Sequence, residues 1–233
     1  MKPKKEVLSN KFVSYILYKL TSLPVNKFVK KIEGGENIPK RGPFIIASNH
    51  VSYIDWFVVH NIFSKDSNYK VQFMVTTAVR WLWWIFGGKR FLRWAIGAIP
   101  TPEREGKKGK VPTTDVALNV LKKGGIIGIA PYPKSDPREK IRVKTGVARL
   151  ALLAKVPVVP VALKGTYSVL GSNKKPKLPK TYKKVIRVKI GKPLYFNKYH
   201  HLIGKNWDKD RTLFRKVSEQ IVNKIESMRK SNF

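Results

Sequence analysis

The chain has 233 residues, with 48 Lys and Arg against 14 Asp and Glu, a formal net charge of +34 and no cysteine. That length suits one domain, or one domain with a small appendage, and can bury a substantial core. The lack of cysteine excludes a disulfide framework, a Cys-based zinc site and a Cys nucleophile, and the charge implies an anionic partner: nucleic acid, a membrane surface or a substrate.

In chain order, Met1 to Lys31 is expected to form one or two amphipathic helices. Phe12, Ile16, Leu17 and Leu20 recur at helical spacing, and Val25, Phe28, Val29 and Ile32 continue the pattern past Pro24, with lysines alongside. Such a stretch suits a membrane interface, with Phe12 and Ile16 touching lipid; the alternative is a helix packed on the domain. Its lysine-led start lacks a small-residue cleavage site, so no secretory signal is expected. No run approaches the roughly 18 apolar residues a spanning helix needs. The expected location is therefore peripheral or monotopic, on the cytoplasmic face of a membrane. Residues 1–32 are read as this helical segment and residues 33–233 as one α/β domain.

Glu33 to Arg41 is a polar connector. Phe44 to Ala47, bounded by Gly42-Pro43, reads as a buried strand, and Tyr53 to Val59 as the first turns of a helix. Val71 to Thr76 is a second strand. From Ala78 to Trp94, Trp81, Trp83, Trp84 and Trp94 interleave with Arg80, Lys89, Arg90 and Arg93. Trp and Arg together favour the headgroup layer of a bilayer but also suit base stacking. The alternative is a core helix; four tryptophans in so short a stretch exceed what a core needs, which favours membrane contact by Trp81, Trp83, Trp84 and Trp94.

A third strand ends at Gly97-Ala98-Ile99-Pro100. Asp115 to Lys123 reads as a helix stopped by Gly124-Gly125, and Ile126 to Ala130 as a fourth strand. A helix runs from Thr145 or Gly146 through Ala154, and Val156 to Leu163 is a buried strand broken by Pro160. Val185 to Ile190 alternates as a late, partly exposed strand, and a final helix opens at Asp208 or Asp210 and runs to Met228. Strands alternating with helices imply an α/β fold, a mostly parallel sheet flanked by helices.

The chemistry-bearing stretch is Asn49-His50-Val51-Ser52-Tyr53-Ile54-Asp55, just beyond the carboxyl end of the first buried strand, where open α/β sheets gather ligands. On one regular helix, side chains five positions apart point about 140° away from each other. His50 and Asp55 meet only if the helix starts between them, with Ser52 as N-cap and Asp55 at N3 of a capping box. Asp55 would then accept from one ring nitrogen of His50 and leave the other as a general base. The alternative is that Asp55 only caps the helix and His50 is a surface turn residue. The other histidines, His60, His200 and His201, make no metal-ligand pattern, and no metal is expected.

Asn49-His50, four residues, then Asp55 resembles the first motif of the glycerolipid acyltransferases, the family of 1-acylglycerol-3-phosphate acyltransferases. Gly97-Ala98-Ile99-Pro100 resembles the start of the second motif, Lys144 to Ala151 the stretch after the third, and Val156 to Val161 the fourth. The similarity runs from about Glu33 to about Phe196. It implies that His50 deprotonates an acceptor hydroxyl with Asp55 orienting it, that the oxygen attacks an acyl thioester directly, and that no cofactor is used beyond acyl-CoA or acyl carrier protein as co-substrate. Further implied partners are a lysophospholipid acceptor and anionic membrane lipids, and no nucleic acid.

Asn49, Ser52 and Arg104 are expected at the substrate. The second motif departs from the family pattern, because Thr101-Pro102-Glu103-Arg104 shifts the usual arginine by one. The third departs further, since Pro131-Tyr132-Pro133-Lys134 stands where Pro-Glu-Gly-Thr is usual. Lys134, Arg138 and Lys144 are candidates for holding a phosphate; the alternative for all three is a solvated basic loop. The rival functions are an inactive relative that binds anionic lipid, which the altered third motif supports, and a nucleic-acid binder, for which no zinc-finger or RNP1-like signature appears.

Overall fold

The computed structural model describes residues 11–65, 71–76, 98–101, 113–132, 140–171, 183–203 and 211–233. The elements are α1 (Lys11–Asn26), β1 (Val29–Glu33), β2 (Phe44–Ser48), α2 (Ile54–Phe63), β3 (Val71–Thr76), β4 (Ile99–Thr101), α3 (Thr113–Lys122), β5 (Ile126–Ile129), α4 (Gly146–Ala154), β6 (Val158–Lys164), α5 (Thr166–Leu170), β7 (Ile186–Ile190) and α6 (Arg211–Lys230). The strands form a seven-stranded sheet in the order β1-β7-β6-β2-β5-β3-β4. Every pairing is parallel except β6 with β7. The α/β class expected from the strand–helix alternation is therefore the architecture found.

Continuous apolar runs suit central parallel strands because both faces are covered. Phe44 and Ile46 of β2 and Ile126 of β5 face a layer that includes Val25 of α1 and Val58, Val59 and Phe63 of α2. Ile45, Ala47, Ile127 and Ile129, one residue out of step, face α3, α4 and α6. The period of two thus splits the core into two layers. Chain leaving β2 passes into α2 on one face, and chain leaving β5 passes to α4 on the other. Neighbouring strands whose connections diverge to opposite faces open a crevice at their carboxyl ends. His50 follows β2 at that crevice.

Two expectations about elements are corrected. The helical pattern over Val25, Phe28, Val29 and Ile32 ends with α1 at Asn26, and Val29–Glu33 is an edge strand parallel to β7. The sheet therefore begins inside the expected segment 1–32. Pro160 does not break its strand: β6 runs unbroken from Val158 to Lys164. Pro160 pairs with Ala47 on one side, and on the other its carbonyl accepts Gly191 N–H just past the end of β7, so its missing donor falls where that ladder stops.

α1 packs against α2, where the Thr21 hydroxyl donates to Asn61 Oδ1 at 2.9 Å. Its outer side leaves Leu20 68% and Leu23 76% exposed, with Tyr15 and Ile16 also exposed. Among the described residues no helix is long and apolar enough to cross a membrane. Residues 77–97, with Trp81, Trp83, Trp84 and Trp94, lie outside the described residues, as do Asp208 and Asp210.

Candidate active site

Beyond Ser48 the chain leaves the sheet in a tight turn, closed by Asp55 N–H donating to the Ser52 carbonyl at 3.1 Å, before α2 begins at Ile54. Asp55 is fully buried in the first turn of α2, where a negative charge is favoured by the orphan N–H groups. Its Oδ2 accepts from Val51 N–H at 2.8 Å, from Ser52 N–H at 2.8 Å and from His50 Nδ1 at 3.0 Å. The turn is thus wound around one carboxylate oxygen, and the ring is held by the group that holds the backbone. With Asp55 as acceptor the proton sits on Nδ1, and Nε2 is the free acceptor. The His50 side chain is 15% exposed and lies 4.8 Å, centroid to centroid, from Trp56, which meets Phe73 edge-on.

The structure brings His50 and Asp55 together as the spacing required, by a different start to the helix. Tyr53, not Ser52, is the N-cap, and no side chain caps it. Only half of the expected capping box exists, the reach of Asp55 back to Ser52 N–H. Ser52 is buried, and among the described residues neither its Oγ nor Asp55 Oδ1 has a hydrogen-bond partner. Asn49 does not present a free amide to substrate. Its Nδ2 donates to the Leu163 carbonyl at 3.0 Å and its Oδ1 accepts Leu163 N–H at 2.7 Å, which pins the end of β2 to the end of β6.

Lys144 is exposed, and its backbone N–H donates to the Pro131 carbonyl at 2.8 Å, tying the start of α4 to the end of β5. Arg104, Lys134 and Arg138 lie outside the described residues. Phe12 falls in α1, and Ile16 is exposed on it. His60 is buried on α2 against Phe73, while His201 is exposed and His200 half-buried in the short turn Asn197–Leu202. Among the described residues no cluster of ligands could hold a metal ion.

A second polar group lies beside this turn, and its pairing of Tyr132 with Glu226 and Arg229 was not expected from the sequence. Tyr132, just past the end of β5, is fully buried and donates its hydroxyl to Glu226 of α6. Glu226 also accepts from Arg229 Nε at 3.0 Å and from Nη2 at 2.7 Å. Burial, then the Glu226 carboxylate, pushes the Tyr132 phenol far above its usual range, so it stays a donor. The hydrogen bond to Glu226 raises the Arg229 guanidinium in turn. One signal was available: Glu226 lies one turn beyond Val222, on the buried stripe of α6 that also holds Val217, Ile221 and Ile225. An acidic residue on an apolar stripe needs a partner.

A family model described as Acyltransferase matches residues 29–164. The 1-acyl-sn-glycerol-3-phosphate acyltransferase of Bacillus subtilis (strain 168) is 27% identical over 175 residues, covering 75% of this chain and 78% of that protein. The chloroplastic 1-acyl-sn-glycerol-3-phosphate acyltransferase BAT2 of Brassica napus is 27% identical over 194 residues, 81% of this chain; the match spans about half, 52%, of that longer protein. In three dimensions the chain resembles the 1-acyl-sn-glycerophosphate acyltransferase PlsC of Thermotoga maritima, with a TM-score of 0.64 over 96% of this chain and 82% of that one. At 22% identity that likeness speaks for the fold.

Proposed function

This chain belongs to the acyltransferase family, and from that premise we propose that it transfers a fatty acyl group from an acyl thioester to a hydroxyl of a lysophospholipid such as 1-acylglycerol-3-phosphate, in phospholipid synthesis. The observation that carries the reading is the 3.0 Å contact of His50 Nδ1 with Asp55 Oδ2 at the carboxyl end of β2. The named activity of the Bacillus subtilis and Brassica napus relatives supports the substrate class.

Nε2 of His50 takes the proton of the acceptor hydroxyl as its oxygen attacks the thioester carbonyl carbon. Asp55 stabilises the imidazolium that forms and keeps the ring in place. When the tetrahedral adduct collapses, the C–S bond breaks and the sulfur leaves as thiolate, which takes the proton from His50. Ester and thiol are the products, and no covalent enzyme intermediate is needed. Holding thioester and hydroxyl together supplies much of the rate.

The reading places the protein on a membrane surface, facing the cytoplasm. Ile16, Leu20 and Leu23 of α1 supply apolar contact and the nearby lysines attract anionic headgroups; Phe12, Trp81, Trp83, Trp84 and Trp94 join them. Residues 1–32 are the membrane-facing segment, apart from the strand that begins at Val29, and residues 33–233 the acyltransferase domain. Arg104, Lys134, Arg138 and Lys144 are the basic groups proposed for the acceptor phosphate, and Ser52 lies beside the reacting hydroxyl.

The second reading, an inactive relative that binds anionic lipid, rests on Tyr132 at the glutamate position of the third motif. Labelled acyl-CoA, and labelled acyl carrier protein in parallel, offered to mixed lysolipids in anionic lipid–detergent micelles, separates the two. The native chain is expected to make labelled diacyl product, with His50→Ala reducing the rate by about 10²–10⁴-fold and Asp55→Asn also impaired. Equal rates for native and His50→Ala would overturn the role of His50. No product from either donor, with vesicle binding intact, would establish the lipid-binding reading.

A further inference from the structure

On the α6 side of the His50 turn lies a cavity of about 300 Å³ that the acyl-transfer step leaves unassigned. Its walls include Val51, Tyr132, Lys164, Thr166, Glu226 and Arg229, drawn from the ends of β2, β5 and β6 and from α5 and α6. We propose that this cavity is a phosphate-binding subsite in which Lys164, Thr166 and Arg229 hold one phosphate group next to the His50 turn.

The donors come from three elements and are not spent. Arg229 commits Nε and Nη2 to Glu226, and its Nη1 makes no hydrogen bond among the described residues. Lys164 donates one of its three ammonium hydrogens to the Ser231 carbonyl, at 2.7 Å, and lies over the Phe233 ring. Thr166 is 1% exposed and its Oγ1 has no hydrogen-bond partner among the described residues. A buried hydroxyl without a partner is costly, and a ligand oxygen would satisfy it. Gly165, just before Thr166, has a left-handed φ of 81°, and an added Cβ there would collide with the Val185 carbonyl, so the turn from β6 into α5 requires glycine.

Glu226 does not spoil the site for an anion. Both its oxygens accept from Arg229, and Tyr132 donates to one of them. The cavity therefore meets a carboxylate already paired with a guanidinium, and the Lys164 ammonium leaves the three groups with a net positive charge. A tetrahedral anion with several terminal oxygens can accept from an ammonium, a guanidinium and a hydroxyl converging from different directions.

Which molecule brings the phosphate rests on the acyl-transfer reading: the acceptor carries one, and so does a coenzyme A or phosphopantetheine donor. The test is equilibrium titration of the full chain in neutral detergent with glycerol phosphate and, separately, with coenzyme A, for the native protein and for Thr166→Val, Lys164→Gln and Arg229→Gln. Thr166→Val is the informative variant, because it removes a hydroxyl with no hydrogen-bond partner among the described residues; Arg229→Gln strands a buried carboxylate and needs its fold checked by circular dichroism. Lys198→Gln combined with Lys224→Gln, near the opposite end of β6 beside Leu194, controls for diffuse basic charge.

The expected result is native binding of at least one probe, weakened about tenfold by Thr166→Val and by Lys164→Gln and unchanged in the control. Loss confined to glycerol phosphate assigns the site to the acceptor, and loss confined to coenzyme A assigns it to the donor. No binding, equal binding by native and variants, or an equal loss in the control overturns the proposal. Acyl transfer by the native chain is measured alongside. Intact transfer with variant-insensitive binding sinks the subsite alone, and absent transfer with variant-sensitive binding sinks the acyl-transfer reading alone.

Discussion

α2 carries Asp55 in its first turn and His60 in its last, and the two meet histidine chemistry in opposite ways. Asp55 gives the His50 ring a carboxylate oxygen and leaves the ring partly open to solvent. His60 is buried against Phe73, and burial pulls its imidazole below the ordinary value of 6.5. Its linkage has a definite sign. A group depressed in the folded state contributes stability above its unfolded value, and that stability is lost as pH falls toward the folded one, because only the unfolded chain takes up the proton. The native protein is therefore expected to have a lower urea midpoint at pH 5 than at pH 7.5, part of which His60→Gln removes. If native and variant lose the same stability between those pH values, His60 is not the group responsible.

At the scale of elements, α1 is the surface helix whose exposed side has no partner among the described elements. Leu20 and Leu23 stand mostly in solvent, while Val25 and Thr21 face the domain. Leu20→Asp with Leu23→Asp should weaken partition onto anionic vesicles by more than tenfold, since two burials of a Leu are worth about 1.5–3 kcal/mol each, and should leave the urea midpoint nearly unchanged. A shift in the midpoint with vesicle binding intact would mean instead that the face packs on protein. Other elements were legible because their signals were local. β2, β3 and β5 are short apolar runs, and α3 stops where Gly124 supplies a positive φ. β1 was not, because Val25, Phe28, Val29 and Ile32 satisfy helical spacing while the pairing with β7 that makes a strand of Val29–Glu33 comes from more than 150 positions later. Pro160 misled for a related reason: a proline breaks a strand only on the side where a donor is needed, and which side that is depends on where β7 ends. His50 and Asp55 could be read because their partners are five positions apart. Tyr132 and Glu226, 94 positions apart, left only the trace of an acid on an apolar stripe.

At the scale of the whole molecule, the positive charge is not neutralised from within. The chain carries 48 basic residues against 14 acidic ones, and of the described acids Glu33 is taken by Lys31 and Lys189, Asp55 by His50 and Glu226 by Arg229. From Lys140 to Trp207 the chain holds no acidic residue. That stretch contains β6 and β7 and ends before α6, so much of the unbalanced charge accompanies one half of the sheet. A basic surface attracts anionic lipid by about 1 kcal/mol for each Lys or Arg brought near it, and salt screens the attraction over roughly 10 Å at 0.1 M. Acyl transfer on anionic vesicles is accordingly expected to fall steeply between about 50 and 500 mM salt, and transfer on neutral micelles to change little. The neutral-micelle arm separates surface capture from chemistry, because the His50–Asp55 contact is internal and short. A rate equally salt-sensitive on both surfaces would place the electrostatics in substrate binding. Tighter binding to single-stranded DNA than to anionic vesicles, at equal phosphate and matched salt, would turn the charge toward a nucleic acid.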